Sequence, residues 1–157
     1  MVDKDRITTK QLLKDVVVCK NCPIRLHQKE DAILKYGKGC LFPDIVFVLP
    51  PQTNNSVEEE FLKLICKDII NLDEQYITYN PKCFAYDDKL YNNTTYCNHI
   101  LTREIIKLNP KKVIFFTDDD TKFITNKFKV YKFMKLINIK YGNKTIEYFR
   151  DNLKQIL

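Results

Sequence analysis

Four cysteines constrain this chain more than any other feature of its sequence. Cys19 and Cys22 form a C-x-x-C pair, and Cys83 and Cys97 follow after 60 and 13 intervening residues. Such a pair can grip one metal centre from a tight turn, and two further thiols brought in by folding complete a four-thiolate site. Because thiolates are soft ligands, the site selects zinc or an iron–sulfur cluster. The pattern therefore predicts a metal centre that ties the N-terminal segment to the middle of the chain.

Apolar runs alternate with helical patterns along the chain, and this order predicts a layered α/β fold with a mostly parallel sheet. Continuous apolar runs bounded by proline or asparagine are typical of buried parallel strands. The predicted strands are 44–49, 76–79, 112–117 and 136–141. The predicted helices are 8–18, one that begins near Ser56, 94–108, 118–125 and one that carries Ile146, Phe149, Leu153 and Ile156.

Two of these helices have apolar stripes that predict their buried faces. Ser56 and Glu59 form a capping box, which marks the start of the first helix. Its predicted face comprises Val57, Phe61, Leu64, Ile65 and Ile69, and that of the 94–108 helix comprises Cys97, Leu101, Ile105 and Leu108. Cys66 lies among apolar residues and is predicted to be a small core residue. The acids at 58–60 and 118–120 are explained by favourable contact with helix N-termini.

The net charge of +6 is concentrated in the last third of the chain. From Lys122 to Lys144 there are seven lysines and no acid, and five aromatic residues lie among them. Basic residues interleaved with aromatics suit a phosphate backbone and exposed bases. A solvated lysine face over a core aromatic stripe is the alternative. The candidate DNA-binding residues are Lys127, Lys129, Lys132, Lys140, Tyr141 and Lys144.

Length and composition predict one domain over residues 1–157. No apolar run reaches the roughly 18 residues that a membrane span needs, and the N-terminus lacks the apolar stretch of a signal peptide. We therefore expect the cytoplasm, where thiols stay reduced and six cysteines favour metal binding or buried thiols over disulfides. Abundant Lys, Asn, Ile and Tyr indicate an A/T-rich genome, which favours a virus, a phage or a low-GC bacterium; for a virus the location is the host cytoplasm.

Several segments, in this order, resemble the iron–sulfur uracil-DNA glycosylases, the family-four class. The first is Cys19-Lys-Asn-Cys-Pro-Ile-Arg25, followed by Lys35-Tyr-Gly-Lys-Gly39 and Pro43-Asp-Ile-Val-Phe-Val48. The resemblance continues in four further segments. These are the residues around Tyr76–Thr78 and Cys83, the start of the helix at Cys97, and the segments 109–114 and 148–154. The match extends over most of the chain.

The resemblance implies a three-layer α/β/α domain with a mostly parallel four-stranded sheet, approached by DNA at the carboxyl ends of the strands. It implies a 4Fe–4S cluster held by Cys19, Cys22, Cys83 and Cys97. Zinc and unliganded core thiols are the alternatives for these cysteines. Cys40 stands outside the ligand positions.

The motifs that would perform base excision depart from the family. A flipped uracil needs a group that activates water and a donor that stabilises the leaving base. Pro50 occupies the place of the family's first-loop carboxylate, and Tyr79 stands where the family has an asparagine that reads uracil. Tyr141 runs into Gly142 with no histidine-containing loop. The remaining candidates for catalysis are Gln52 and Asn80, which follows the position of the family's asparagine by one residue.

The sequence therefore predicts a catalytically degenerate glycosylase-like protein that keeps the cluster and acts as a DNA-binding or replication-accessory platform. A replication or repair protein is a second expected partner besides DNA. One alternative is an active divergent uracil-DNA glycosylase that uses Asn80 and Gln52. Another is a protein-only adaptor or inhibitor whose basic face meets an acidic partner.

Overall fold

The computed structural model describes residues 37–50, 58–80, 98–117, 120–124, 128–133 and 143–157. The elements in chain order are β1 (Lys38–Gly39), β2 (Ile45–Leu49), α1 (Glu58–Cys66), a 3₁₀ turn (Leu72–Glu74), β3 (Tyr76–Tyr79), α2 (Asn98–Leu108), β4 (Lys112–Phe116), β5 (Lys129–Phe133) and α3 (Asn143–Ile156). Within these ranges no helix is both long and apolar enough to cross a membrane.

The strands form one mixed sheet in the order β1-β3-β2-β4-β5. β2 lies at its centre and pairs in parallel with β3 and with β4, with Val46 opposite both Tyr76 and Val113. β5 pairs in parallel with β4, and β1 pairs antiparallel with β3. The prediction of a mostly parallel sheet in an α/β fold is confirmed. The predicted count of four strands is wrong for the described residues, because two residues, Lys38 and Gly39, add a fifth strand at the edge.

Both faces of the sheet carry apolar side chains, which is why the central strands read as continuous apolar runs. Alternate residues of β2 point to opposite faces. Phe47 and Leu49 join a core that includes residues from α1 and α3, whereas Val46 and Val48 join a second core with residues from α2. In the first core the rings of Phe61 and Phe149 meet edge to face, with centroids 5.3 Å apart. Residues of α1 and α3 thus share one core with the sheet, and residues of α2 share the other.

Among the described residues, the apolar face of α1 differs from the prediction at Leu64, and Val57 lies outside the described residues. Leu64 is 47% exposed, whereas Leu62 is fully buried beside Phe61, Ile65 and Cys66. The burial predicted for Cys66 is confirmed. Helix α2 begins at Asn98 among the described residues and buries Leu101, Ile105 and Leu108 as predicted, and it also buries Glu104, which the pattern did not indicate.

After β4 one strand was missed and one predicted helix is wrong. The parallel strand β5 lies at Lys129–Phe133, a segment in which no strand was predicted. The predicted strand at 136–141 lies outside the described residues. The described residues of the predicted 118–125 helix form a turn in which the Ile124 amide donates to the Thr121 carbonyl at 3.1 Å. Strand β5 was missed because lysines at its first and fourth positions interrupt the apolar run. Edge strands tolerate such lysines.

The C-terminus of α1 is closed by a side chain from α3. Asp68 follows the helix in the left-handed conformation, with φ of 62°. Nη1 of Arg150 donates to the carbonyls of Leu64, Ile65 and Lys67 at 3.1, 3.2 and 2.6 Å. These are carbonyls that the end of a helix leaves without intrahelical partners, and a cation is favoured there. Arg150 thus links the two helices on this face of the sheet.

Candidate functional site: the carboxyl edge of the sheet and the β3–α2 seam

The carboxyl ends of the parallel strands lie along one edge of the sheet, and at β2 the order of the strands changes direction. From β2 the chain moves to one side of the sheet for β3 and to the other side for β4 and β5. Ligands of open α/β sheets bind outside the carboxyl ends at such a point. Two backbone bonds draw this edge together, from the Asn80 amide to the Leu49 carbonyl at 3.2 Å and from the Thr117 amide to the Phe133 carbonyl at 3.1 Å. The edge is therefore the candidate binding surface of the fold.

Asn80 is the one catalytic candidate from the sequence that the described residues include, and it lies at this edge directly after β3. Its Nδ2 donates to Oδ1 of Asn98 at 3.0 Å, so the amide connects the end of β3 with α2. Its own Oδ1 is buried and accepts no hydrogen bond from any residue in the described ranges. Gln52 lies outside those ranges. His99 is exposed on α2.

A line of polar contacts continues from Asn80 along the interface between β3 and α2. Glu104 on α2 is only 1% exposed, and its Oε1 accepts from Oγ1 of Thr78 at 2.7 Å. Its Oε2 accepts from the Tyr76 hydroxyl at 3.0 Å. We call Tyr76, Thr78, Asn80, Asn98 and Glu104 the β3–α2 seam. A buried carboxylate is costly unless hydrogen bonds satisfy it, so these contacts fix how α2 sits on β3.

Sequence reasoning missed this seam because its residues lie in elements that read as apolar. Tyr76 and Thr78 belong to a strand whose four residues are all buried. Glu104 belongs to a helix whose apolar stripe was enough to explain how the helix is buried. Because glutamates are rarely buried without partners, the pattern gave no reason to place Glu104 in the core. A usable signal was the alternation of hydroxyl-bearing residues at 76 and 78. Their spacing of two places both side chains on the same face of the strand.

Tyr79, which the predicted resemblance aligns with the family's asparagine, points to the opposite face of the sheet. Its ring is 1% exposed in the core of α1 and α3, and its hydroxyl donates to Oε1 of Glu59. Oε2 of Glu59 accepts from Nζ of Lys38 at 2.5 Å. Glu59 is therefore more than an acid at a helix N-terminus, because it joins the end of β3 to the edge strand β1.

An open cleft of about 540 Å³ lies beside this chain of contacts. Lys38, Glu59, Lys63 and Asp73 contribute its charged groups, and Gly39, Asn71, Leu72 and Ile77 complete the lining. Its two cations and two anions balance one another, so the cleft has no net charge that would select a nucleic acid.

The four predicted metal ligands, Cys19, Cys22, Cys83 and Cys97, lie outside the described residues. Among the residues that are described, no three His, Cys, Asp or Glu side chains come together as a possible metal site. The two described cysteines, Cys40 and Cys66, are free thiols. Burial raises the pKa of the Cys66 thiol from 9.0 to about 12, and the positive charge of Arg150 opposes this rise. A thiol with so high a pKa is a core residue and is unsuited to bind a metal.

Three of the six predicted DNA-binding residues are described, and all three are exposed: Lys129, Lys132 and Lys144. Lys127, Lys140 and Tyr141 lie outside the described ranges. Lys129 and Lys132 are three residues apart in β5, so they point to opposite faces of the sheet. The residues between them are consistent with this, because Tyr131 packs against the core of α1 and α3 and Val130 packs against the core of α2. The two lysines thus flank the outer strand and do not share one face.

Comparison of the chain with models of known protein families found no match, and comparison with curated protein sequences found none either. The resemblance described above therefore stays a prediction from the quoted segments. The observed geometry consists of a mostly parallel sheet, a polar seam that ends at its carboxyl edge, and lysines on its outer strand.

Proposed function

We propose that this chain is a catalytically degenerate relative of the iron–sulfur uracil-DNA glycosylases that serves as a DNA-binding or replication-accessory platform. Its three-layer α/β/α domain would present the carboxyl edge of the sheet to the ligand, as in other open α/β folds. The strand order supports this arrangement, because it reverses at β2. The two cores, one shared with α1 and α3 and the other with α2, support the layered architecture.

The proposed cofactor is a 4Fe–4S cluster bound by Cys19, Cys22, Cys83 and Cys97, with zinc as the alternative. Four thiolates are the donor set of both centres. The contact between Asn80 and Asn98 supports a shared centre, because it joins the chain segments that lead to the last two ligands. When bound, the cluster would supply a covalent cross-link between the N-terminal segment and the sheet.

The observation that carries the proposal of lost base excision is that the Asn80 side chain already hydrogen-bonds within the protein. A residue that reads a base must present its amide N–H and C=O to the ligand. Nδ2 of Asn80 instead donates to Asn98, while Tyr79 turns into the core on the other side of the sheet. The two residues nearest to the family's base-reading position thus have structural contacts.

DNA would be held at the outer strand β5 and the start of α3. Lys129, Lys132 and Lys144 are exposed there, and their side chains are free of acidic partners within the described ranges. Lysines on both sides of a strand can contact phosphates of a backbone that runs along its edge. Such contacts position DNA without reading sequence. Binding should therefore be independent of uracil.

The experiment that tests this function combines a uracil-release assay with DNA binding at several salt concentrations. We expect no uracil release above buffer. We expect affinity for DNA to fall with salt, with a log–log slope of about −0.9 for each phosphate neutralised on a duplex. In the Lys129→Glu/Lys132→Glu variant the slope should become shallower by about 2.

The matched control is Lys63→Glu/Lys67→Glu, which makes the same change of charge at two exposed lysines of α1 and the turn after it. The DNA affinity of this control variant should lie closer to that of the unmodified protein than the affinity of the β5 variant does. If both variants lose affinity equally, general charge and not the outer strand governs binding. If the unmodified protein binds no DNA even at low salt, the proposal of an adaptor that meets an acidic protein replaces the DNA platform.

An active divergent glycosylase is the second candidate, and one observation favours it. Oδ1 of Asn80 is buried at the carboxyl edge without a hydrogen-bond donor among the described residues. Buried polar atoms are normally satisfied, so this oxygen is suited to accept an N–H from a bound base. Repeated turnover that disappears in Asn80→Ala would establish this candidate in place of the platform.

A further inference from the structure

Two lysines stand opposite one another at the amino ends of β4 and β5. Lys112 is the first residue of β4, Lys129 is the first residue of β5, and the two are partners in the parallel register of these strands. Adjacent strands lie about 4.8 Å apart, so the two side chains leave the sheet from neighbouring points. Both point to the face of α1 and α3, because the residues two and four places further along each strand belong to the core on that face or pack against it: Ile114, Phe116, Tyr131 and Phe133. We call Lys112 and Lys129 the lysine pair.

The lysine pair carries two positive charges that no acid in the described ranges neutralises. Lys112 is half-buried and Lys129 is exposed, and neither forms an ion pair with a described residue. Lys111 differs, because its Nζ lies 3.3 Å from Oδ1 of Asp44 and its side chain points to the other face of the sheet. Like charges at paired positions of adjacent strands repel one another and destabilise the sheet. A bound anion would offset this repulsion.

Backbone hydrogen bonds hold the two lysines at these positions. The Asp44 carbonyl accepts from the amides of Lys111 and Lys112 at 2.9 and 3.0 Å, which ties the start of β4 to the start of β2. The Lys129 amide donates to the Lys111 carbonyl at 3.4 Å, which ties the start of β5 to β4. A slip of one residue would turn Lys129 to the other face, but it would also turn the aromatic residues of β5 away from their core. The rest of the fold therefore keeps the two charges side by side.

An extended phosphate backbone fits the lysine pair better than a single small anion does. Lys132 lies three residues after Lys129 in β5, so exposed lysines recur over about 10 Å of this strand. Duplex DNA carries one negative charge for about every 1.7 Å of its axis, so it offers phosphates over the whole of this length. Lysine ammonium groups contact phosphates as point charges and read no sequence.

We infer that the lysine pair binds the phosphate backbone of a nucleic acid at the amino ends of β4 and β5. The inference rests on the DNA-binding part of the proposed function and extends it. The contact with DNA then continues from the outer strand to Lys112 on the neighbouring strand, and it involves no metal centre.

The test measures how the affinity for one duplex oligonucleotide changes with salt concentration in variants of neighbouring lysines. Lys112→Met keeps an unbranched apolar stem and removes the charge, so the log–log slope should become shallower by about 1. In Lys112→Met/Lys129→Met the slope should become shallower by about 2. Lys112→Arg keeps the charge and should retain the slope. Lys111→Met is the matched control, because it removes one charge at the adjacent position on the opposite face, and it should also retain the slope.

Thermal unfolding in sodium phosphate and in sodium chloride of equal ionic strength provides a readout that needs no DNA. An anion that binds only the folded protein raises its Tm. The Tm difference between the two salts should be larger for the unmodified protein than for Lys112→Met/Lys129→Met. Lys111→Met should show the same difference as the unmodified protein.

A shallower slope in Lys112→Met than in Lys111→Met supports the inference. Equal slopes in these two variants, while the unmodified protein binds DNA, overturn the inference and leave the DNA platform intact. If the unmodified protein binds no DNA, the platform and the inferred partner are both refuted. A phosphate-dependent rise in Tm that requires the lysine pair would then identify its ligand as free phosphate.

Discussion

Removal of the Arg150 side chain is expected to destabilise the packing of α1 and α3. One guanidinium nitrogen, Nη1, donates to the carbonyls of Leu64, Ile65 and Lys67. Nη1 carries two hydrogens, so at least one of them is shared between two carbonyls. The arrangement amounts to two charge-assisted bonds at the negative end of a helix.

The expected loss can be worked out from these contacts. Hydrogen bonds to a charged group contribute about 1.5–3 kcal/mol, and a cation at a helix C-terminus adds roughly 0.3–1 kcal/mol. Two such bonds and the helix contribution would together amount to roughly 3.3 kcal/mol at the lower end, but Arg150 is partly exposed and solvent screening reduces this sum. We expect Arg150→Met to lower the free energy of unfolding by about 2 kcal/mol. For a chain of this length that corresponds to a fall of roughly 4–8 °C in Tm.

The assay is urea and thermal unfolding followed by circular dichroism. Arg150→Met keeps much of the apolar stem, so its loss reports the charged bonds and not the packing of the stem. Arg150→Lys should recover part of the stability, because an ammonium can still donate to several carbonyls. Lys154→Met, which also removes a cation from α3, is the control and should unfold like the unmodified protein. A Tm for Arg150→Met equal to that of Lys154→Met would refute the argument.

Three further predictions concern the thiols and the basic segment. Changing Cys19 to Ser should remove the brown colour and the roughly four irons expected for a cluster, whereas Cys40→Ser should keep both, and colourless protein with one zinc would disprove the cluster. The Cys66 thiol, with a pKa of about 12 in the fold against 9.0, stabilises the protein fully below pH 9 and loses this contribution as pH rises toward 12. The stability advantage over Cys66→Ala, measured by urea unfolding, should therefore shrink between pH 9 and 11 by at most about 1.4 kcal/mol per pH unit, and a constant advantage would count against it. Tyr141→Ala should weaken single-stranded DNA binding by roughly 1–3 kcal/mol if its ring stacks on a base, and unchanged affinity would remove it from the interface.

The sequence predicted the central part of the fold because that part is defined by burial on both sides. Strands β2, β3 and β4 lie within one residue of their predicted ends, and α3 carries its four predicted apolar residues. Strand β5 was missed because an outer strand needs no continuous apolar run. A two-residue strand such as β1 has no periodicity, so only the bond from the Cys40 amide to the Gln75 carbonyl and the pairing with β3 define it.

The candidate site was less predictable, because its contacts depend on which residues meet in space. Sequence reasoning identified Asn80 as a residue at the end of a strand, but its partner Asn98 lies 18 positions away on a helix. Burial of Glu104 depends on two hydroxyl groups of β3, and no pattern of neighbouring residues in the sequence predicts such a pairing. The opposite directions of Lys129 and Lys132 became evident only once β5 had been located, since strand alternation decides them.

The central place of β2 has a consequence for how the chain is made. β2 is synthesised before either of its neighbours, and Val46 meets Tyr76 30 residues later and Val113 67 residues later in the chain. At about 5–20 residues per second, a ribosome needs several seconds to supply the second partner. Throughout that interval a strand whose five residues are all apolar has an unpaired edge. Chaperone dependence during synthesis, and aggregation when translation stalls before β4, are therefore expected properties of a protein with this strand order.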